Sequence, residues 1–225
     1  MGSACVIRGE IPADEFALYE ALSSSPDIEF EVERIIETGT DAAMPLVWVR
    51  GADHEAVADV FENDPSVQEI ELLSEFDNEQ LYRMEWVTEV DLVLQMLTNS
   101  EATITDAYGT DGRWHLRVLY PDRESLTKTT EFRDEQGLTF DITAIRELEG
   151  EPAGRYGLTT EQFEALEAAL QAGYYEVPRD IDQNDLAEKL GISHQALSER
   201  LRRATGALVE DALLVGAVPD HDGKS

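Results

Sequence analysis

Over the first two thirds of the chain, apolar and polar residues alternate with period two in short stretches bounded by turn residues. Ile28, Phe30 and Val32 interleave with Glu29, Glu31 and Glu33. Tyr82, Met84 and Trp86 interleave with Arg83 and Glu85, and Trp114, Leu116, Val118 and Tyr120 with His115 and Arg117. That alternation predicts half-buried strands. Val6–Glu10, Val67–Leu73, Ala102–Tyr108 and Leu138–Ile145 read as further strands, and the continuous apolar run Leu46–Val49 suits a central one. Helical spacing falls between them. A helix is expected to open at Pro12, where a missing N–H costs nothing, and to run to Leu22 before Ser23-Ser24-Ser25-Pro26. Ala56, Val57, Val60 and Phe61 mark a second helix and Val90–Thr98 a third. Asp122–Arg133 marks a fourth, with Leu126 as its clearest buried position. Gly109-Thr110-Asp111-Gly112 reads as a hairpin turn.

The order β-α-β-β-α-β therefore occurs twice, which is the split βαβ or ferredoxin-like order. The expected fold class is α+β: a duplicated ferredoxin-like unit over residues 1–149, with halves of about 1–77 and 78–149, followed by an all-α domain. Glu149-Gly150-Glu151-Pro152-Ala153-Gly154 breaks the pattern, so residues 150–157 read as a linker. The all-α domain is expected over 158–216 and a disordered tail over 217–225.

Past the linker the period becomes helical. Thr159-Thr160-Glu161-Gln162 fits a capping box. Phe163, Leu166 and Leu170 fall on one helical face, and Gly173 supplies a stop. Tyr174-Tyr175-Glu176-Val177-Pro178 reads as an aromatic connection packed on a small helical core. Two short amphipathic helices then flank a tight turn, from Asp185 to Ala204. Ala187 is small where the helices cross, Gly191 can take the left-handed conformation of the turn, Ile192 plugs the core and Ser193 caps the second helix. Leu197 and Leu201, an i,i+4 pair, hold that helix against the first. This is the pattern of a helix-turn-helix, whose second helix enters the major groove of DNA. His194, Gln195, Ser198, Glu199 and Arg202 point away from the two leucines and are the expected base contacts: Gln suits adenine, Arg guanine, and Glu the cytosine amino group. Ser193, Arg200 and Arg203 are the expected phosphate contacts, which fix register without reading sequence.

Charge complicates that reading. The 225 residues carry 48 Asp and Glu against 17 Lys and Arg, a net charge of −31 that argues against a nucleic-acid partner. Resolved along the chain, positions 1–149 hold 34 acidic and 10 basic residues, whereas Ile192 to Gly206 holds three Arg and one Glu. The basic island coincides with the expected recognition helix. Only Lys128, Lys189 and Lys224 are lysines. Abundant acids with scarce lysine suit a cytoplasm of molar salt, where the Debye length falls to roughly 3 Å.

The stretch from Leu158 to Leu214 resembles the helix-turn-helix of haloarchaeal bacterio-opsin activator family regulators. The residues that carry this are Leu158-Thr159-Thr160-Glu161-Gln162, Gly173-Tyr174-Tyr175-Glu176-Val177-Pro178-Arg179 and Ile192 to Arg203. Ile11 to Leu18, Met44 to Val49 and Leu81 to Trp86 are similar to the domain that accompanies it. The resemblance covers nearly the whole chain and implies a halophilic archaeal transcription regulator in a short form. The founding member also carries sensory PAS and GAF domains, for which this chain has no room.

Other chemistry is thinly represented. Cys5 alone can build neither a disulfide framework nor a cysteine zinc site, and it reads as a small buried hydrophobe. His54, His115, His194 and His221 form no metal spacing. No P-loop, dinucleotide fingerprint or nucleophile elbow occurs, and Trp48, Trp86 and Trp114 read as core. Neither a catalytic constellation nor a cofactor is expected. No run approaches 18 apolar residues, and Met1-Gly2-Ser3-Ala4 lacks a secretion-signal pattern, so the expected location is cytoplasmic. The expected partner is double-stranded DNA, bound by a homodimer. The N-terminal unit would regulate or dimerise the helix-turn-helix and could take a small-molecule effector, and the basal transcription machinery could be a further partner. An alternative is a module whose helical domain binds protein rather than DNA.

Overall fold

A computed structural model of the chain describes residues 4–24, 27–37, 43–52, 54–86, 93, 96, 100–148 and 157–213. Eight strands are present among them: β1 (Cys5–Pro12), β2 (Glu29–Glu37), β3 (Ala43–Arg50), β4 (Val67–Glu75), β5 (Glu79–Trp86), β6 (Thr103–Thr110), β7 (Arg113–Tyr120) and β8 (Asp141–Glu147). They form one sheet in the order β4-β5-β3-β2-β6-β7-β1-β8, with antiparallel neighbours throughout. Period two sorts the side chains. On β7, Trp114, Leu116, Val118 and Tyr120 are buried while Arg113, His115, Arg117 and Leu119 stay half-exposed. On β5, Gln80, Tyr82, Met84 and Trp86 are buried.

Three short helices, α1 (Tyr19–Ser24), α2 (His54–Asn63) and α3 (Arg123–Gln136), add their apolar residues to the core face of this sheet. Aromatic rings fill its centre. Phe16, Trp86 and Trp114 meet edge to face with centroids 5.3–5.9 Å apart, and the Trp114 indole N–H donates to the Ala17 carbonyl at 2.6 Å. Such edge-on packing suits the ring quadrupoles and satisfies the one polar atom Trp114 carries inward. The opposite face is charged. Arg50 pairs with Glu31 and Glu79, Arg83 with Glu71, Arg113 with Glu10 and Asp141, and Arg117 with Asp106. Each of these pairs links neighbouring strands except Arg113–Asp141, which reaches from β7 past β1 to β8.

Several expectations are corrected. The sheet does not separate at residue 77 into two self-contained halves: β5 lies between β4 and β3, and β1 lies between β7 and β8. The β4–β5 connection is a tight turn closed by Phe76 N–H to Glu79 carbonyl, and strands joined so closely pair with each other. Pro12 does not open a helix. It ends β1 in an extended conformation, a 3₁₀ turn at Ala13–Glu15 follows, and Leu18 adopts a positive φ of 58° before α1 begins at Tyr19. Ala13, Phe16 and Ala17 keep the i, i+3, i+4 spacing of one helical face, but Leu18 is buried as well and falls off that face, and the helix is interrupted there by its positive φ.

The β6–β7 turn is only Asp111-Gly112, both with positive φ, and Gly109 and Thr110 belong to β6. On α3 the fully buried positions are Ser125 and Thr129, with Leu126 half-buried; Thr129 donates to Ser100 Oγ at 2.8 Å. Trp48 is not in the core. Val47 and Val49 face inward, so Trp48 between them lies on the charged face, tilted against the Phe76 ring and donating to Glu33. Cys5 is buried, as expected. Of the expected helix at Val90–Thr98, only Val93 and Met96 are described, and both are helical and buried. The linker residues 150–156 and the tail 217–225 lie outside the described residues. The chain divides into two compact units, Met1–Glu147 and Leu148–Ser225, and the described residues of the second form three further helices.

Candidate nucleic-acid interface

The first of these helices, α4 (Thr160–Gln171), starts with the capping box expected of it. Thr159 Oγ1 accepts the Gln162 N–H, and the Gln162 side chain accepts the Thr159 N–H at 2.9 Å. The stripe it buries differs from the expected one. Ala165 and Ala169 are buried, Phe163 and Leu166 are half-buried, and Leu170 is 67% exposed. Small residues in the stripe let neighbouring helices approach closely, which turns Leu170 outward. The helix ends at Ala172 and Gly173, where Gly173 takes φ +72° and the Tyr174 N–H returns to the Ala169 carbonyl.

After the 174–181 connection come α5 (Gln183–Leu190) and α6 (His194–Leu213). Asp182 caps α5 by accepting the N–H groups of Asn184 and Asp185 at 2.8 and 3.0 Å. Gly191 ends α5 with φ +67°, and Ser193 Oγ caps α6 by accepting the Ala196 N–H at 3.1 Å. Leu186, Ala187, Leu197 and Leu201 are buried together, with Ile192 packed against them. A two-helix unit with a three-residue turn and a shared apolar seam is thus built from the residues the sequence singled out.

The seam fixes what α6 turns outward. His194, Gln195, Glu199, Arg202 and Arg203 are exposed, while Ser198 and Arg200 are half-buried. Ser198 and Arg202 lie one turn apart and follow His194 along one flank of the helix, whereas Glu199, Arg200 and Arg203 lie on the other. On that second flank a groove of about 320 Å³ is lined by Thr159, Glu161, Gln162, Ala196, Glu199, Arg200 and Arg203. Sequence reasoning did not anticipate Thr159 and Glu161 there, since helix packing brings them in. Gln195 Nε2 donates to Glu199 Oε1 at 3.3 Å, so the two expected base readers also meet each other along the helix.

Local fields are set by the caps. The Glu161 carboxyl is held below its ordinary range by its own N–H and the Thr159 hydroxyl, with the Arg200 charge adding to the effect. Asp182 is held below the usual range by the N–H groups of Asp185 and Asn184, and both Arg179 and His194 contribute positive charge. Arg179 thus acts on the cap that starts α5, and sequence reasoning gave it no role. None of the ion pairs among the described residues involves Arg200, Arg202 or Arg203. Among the described residues, no three His, Cys, Asp or Glu side chains gather as metal ligands, and no helix is long and apolar enough to cross a membrane.

Comparison with known proteins agrees with this geometry. Residues 158–210 match the family described as HTH DNA binding domain, and residues 8–158 match BAT, described as a GAF and HTH_10 associated domain. The chain is 44% identical over 69 residues to the dimethyl sulfoxide reductase transcriptional activator of Halobacterium salinarum, covering 28% of this chain and 31% of that protein. It is 49% identical over 51 residues to the protein of the same description from Haloferax volcanii, covering 23% of this chain and 24% of that protein. The matched segments thus span a third or less of those relatives. The chain belongs to the Bat-like family marked by these two domains, a BAT domain followed by a helix-turn-helix DNA binding domain.

Proposed function

We propose that this regulator reads a specific duplex sequence in the molar-salt cytoplasm of a halophilic archaeon, as a homodimer assembled or controlled through its N-terminal unit. The observation that carries the reading is the outward face of α6, where three arginines stand outside the ion pairs that occupy the sheet arginines. His194, Gln195, Ser198, Glu199 and Arg202 are assigned to base edges, and Ser193, Arg200 and Arg203 to phosphates. A dimer would set two such helices about one DNA turn apart, on a site with two-fold symmetry.

The sheet order supports a role for the N-terminal unit as one body. Read from its centre, β2-β3-β5-β4 mirrors β6-β7-β1-β8, the order expected of two ferredoxin-like units that have exchanged their first strands. An effector or a second subunit acting on one half would then bear on the other through a strand they share. The test is recovery of bound fragments from random genomic DNA by the full chain in about 1–3 M KCl, where screening is nearly complete. A shared motif in the fragments supports sequence-specific binding. Fragments without a motif, or none at all, favour protein recognition by the helical unit.

The salt reading has its own measurement. Trp48, Trp86 and Trp114 all lie in the sheet unit, so tryptophan fluorescence reports its unfolding. Positions 1–149 carry a balance of −24, and dilution of KCl should lower the midpoint of that transition through self-repulsion. A midpoint independent of KCl would remove the halophilic assignment.

A further inference from the structure

The Tyr174–Arg179 connection precedes the helix-turn-helix and holds one cation on an aromatic ring. Tyr174 packs partly into the helical core, and Tyr175 meets it edge-on with centroids 5.3 Å apart. The Arg179 guanidinium lies over the Tyr174 ring, 5.7 Å from its centroid, and the residue itself is exposed. A guanidinium on an aromatic face has its conformational freedom reduced, while the edge of its fork still presents N–H donors to solvent. The base of the connection is closed, since Asp180 N–H donates to the Gly173 carbonyl at 3.0 Å. Asp182 follows two residues later and caps α5, with Asn184 and Asp185 as its donors. In a helix-turn-helix the first helix crosses the DNA backbone as the second enters the groove.

We propose that Arg179, steadied on Tyr174 ahead of α5, is a phosphate contact on the DNA backbone. It rests on the DNA-binding reading and adds a residue to it. Arg200 and Arg203 line the groove on one flank of α6. Arg179 precedes α5 and would engage the backbone where that first helix crosses it, so that cations hold the helix-turn-helix at more than one place. A bidentate fork matches phosphate better than a point charge does. The competing role for Arg179 is to neutralise Asp182 without touching DNA.

The test uses the full chain and two labelled duplexes, one carrying the sequence that wild type selects and one scrambled. Affinities are measured by fluorescence anisotropy across a KCl series in which the circular dichroism stays constant. Arg179→Ala and Arg179→Gln should weaken both duplexes by the same factor, roughly tenfold at most. They should also make the slope of log affinity against log salt shallower by about one. Arg179→Lys should retain the slope, and Tyr174→Leu should lower affinity while keeping the slope. If wild type binds and both charge-removing variants show its affinity and slope, Arg179 serves Asp182 and the proposal fails by itself. If wild type binds neither duplex, the DNA reading fails and takes this contact with it.

Discussion

Arginines of the same chemistry meet two fates in this chain. On the sheet, Arg50, Arg83, Arg113 and Arg117 each pair with a carboxylate on a neighbouring strand, directly opposite or one same-face step along it. On α6, Arg200, Arg202 and Arg203 stand in none of the ion pairs among the described residues, although the chain as a whole is strongly acidic. The difference teaches where positive charge is consumed by the fold and where it is left for a partner. Cross-strand pairs form because the pleat sets opposed residues about 5 Å apart on one face, so Arg beside Glu is nearly forced to meet it. Along α6 from His194 to Gly206, Glu199 is the single acid that shares the helix with the arginines.

The comparison breaks most severely if either scaffold is lost. Trp114 is fully buried, touches Phe16, Phe30 and Trp86, and donates to Ala17. Trp114→Ala should cost about 3–5 kcal/mol in the sheet unit, through lost contacts and a cavity. Leu197, also fully buried, holds α6 against α5, and Leu197→Ala should cost about 2–5 kcal/mol in the helical unit. Denaturation followed by tryptophan fluorescence should respond mainly to the first change, and DNA binding in a selected-site assay mainly to the second. Equal loss of DNA binding from both would mean that the two regions do not act as separate cores.

Substituting the arginines themselves is the finer cut. Arg202→Ala should cost about 1–3 kcal/mol on the preferred sequence and relax selectivity at one base position, because it removes a base contact. Arg203→Ala should weaken preferred and random duplexes alike, as a phosphate contact does. Arg50→Ala is the internal control. Its half-exposed pairs with Glu31 and Glu79 should be worth no more than about 1 kcal/mol to the sheet, and DNA binding should not change. A drop in affinity for Arg50→Ala as large as that for Arg203→Ala would place DNA on the sheet face instead.

What the sequence made legible follows from how local each constraint is. The turn at Gly191, the cap at Ser193, small Ala187 and the Leu197–Leu201 seam are all settled within two turns of helix, and each is where the pattern put it. Alternation on β5 and β7 was equally readable, since one face of the sheet is covered by core and the other is charged. Strand partners were not readable. Nothing local to Val6–Glu10 says that it must lie between β7 and β8, because that pairing depends on chain more than a hundred residues away. Trp48 shows the same limit at a single residue: its size argued for burial, but parity with Val47 and Val49 put it on the charged face. Arg179 was missed because a connection without periodicity gives no signal of what its side chains lie on.

The smallest expected effect concerns His115, which belongs to the charged face yet is largely covered, with 18% of its side chain exposed. It stands opposite Glu10 on β1 and Tyr108 on β6, with Arg113 on its own strand and Asp111 in the adjoining turn. Burial holds its imidazole below the ordinary value of 6.5; Arg113 acts in the same sense, while Glu10, 3.6 Å from Nδ1, and Asp111 oppose it. The folded state therefore favours neutral imidazole, and the unfolded state takes up the proton first as pH falls. Stability from this residue is present above about pH 6.5 and is lost below it, until the folded form also protonates. His115→Gln should flatten that dependence between about pH 7 and 5.5, seen as a smaller change in the tryptophan-monitored denaturation midpoint. Parallel pH profiles for wild type and His115→Gln would show that Glu10 offsets burial fully, and that the face binds this imidazole as readily charged as neutral.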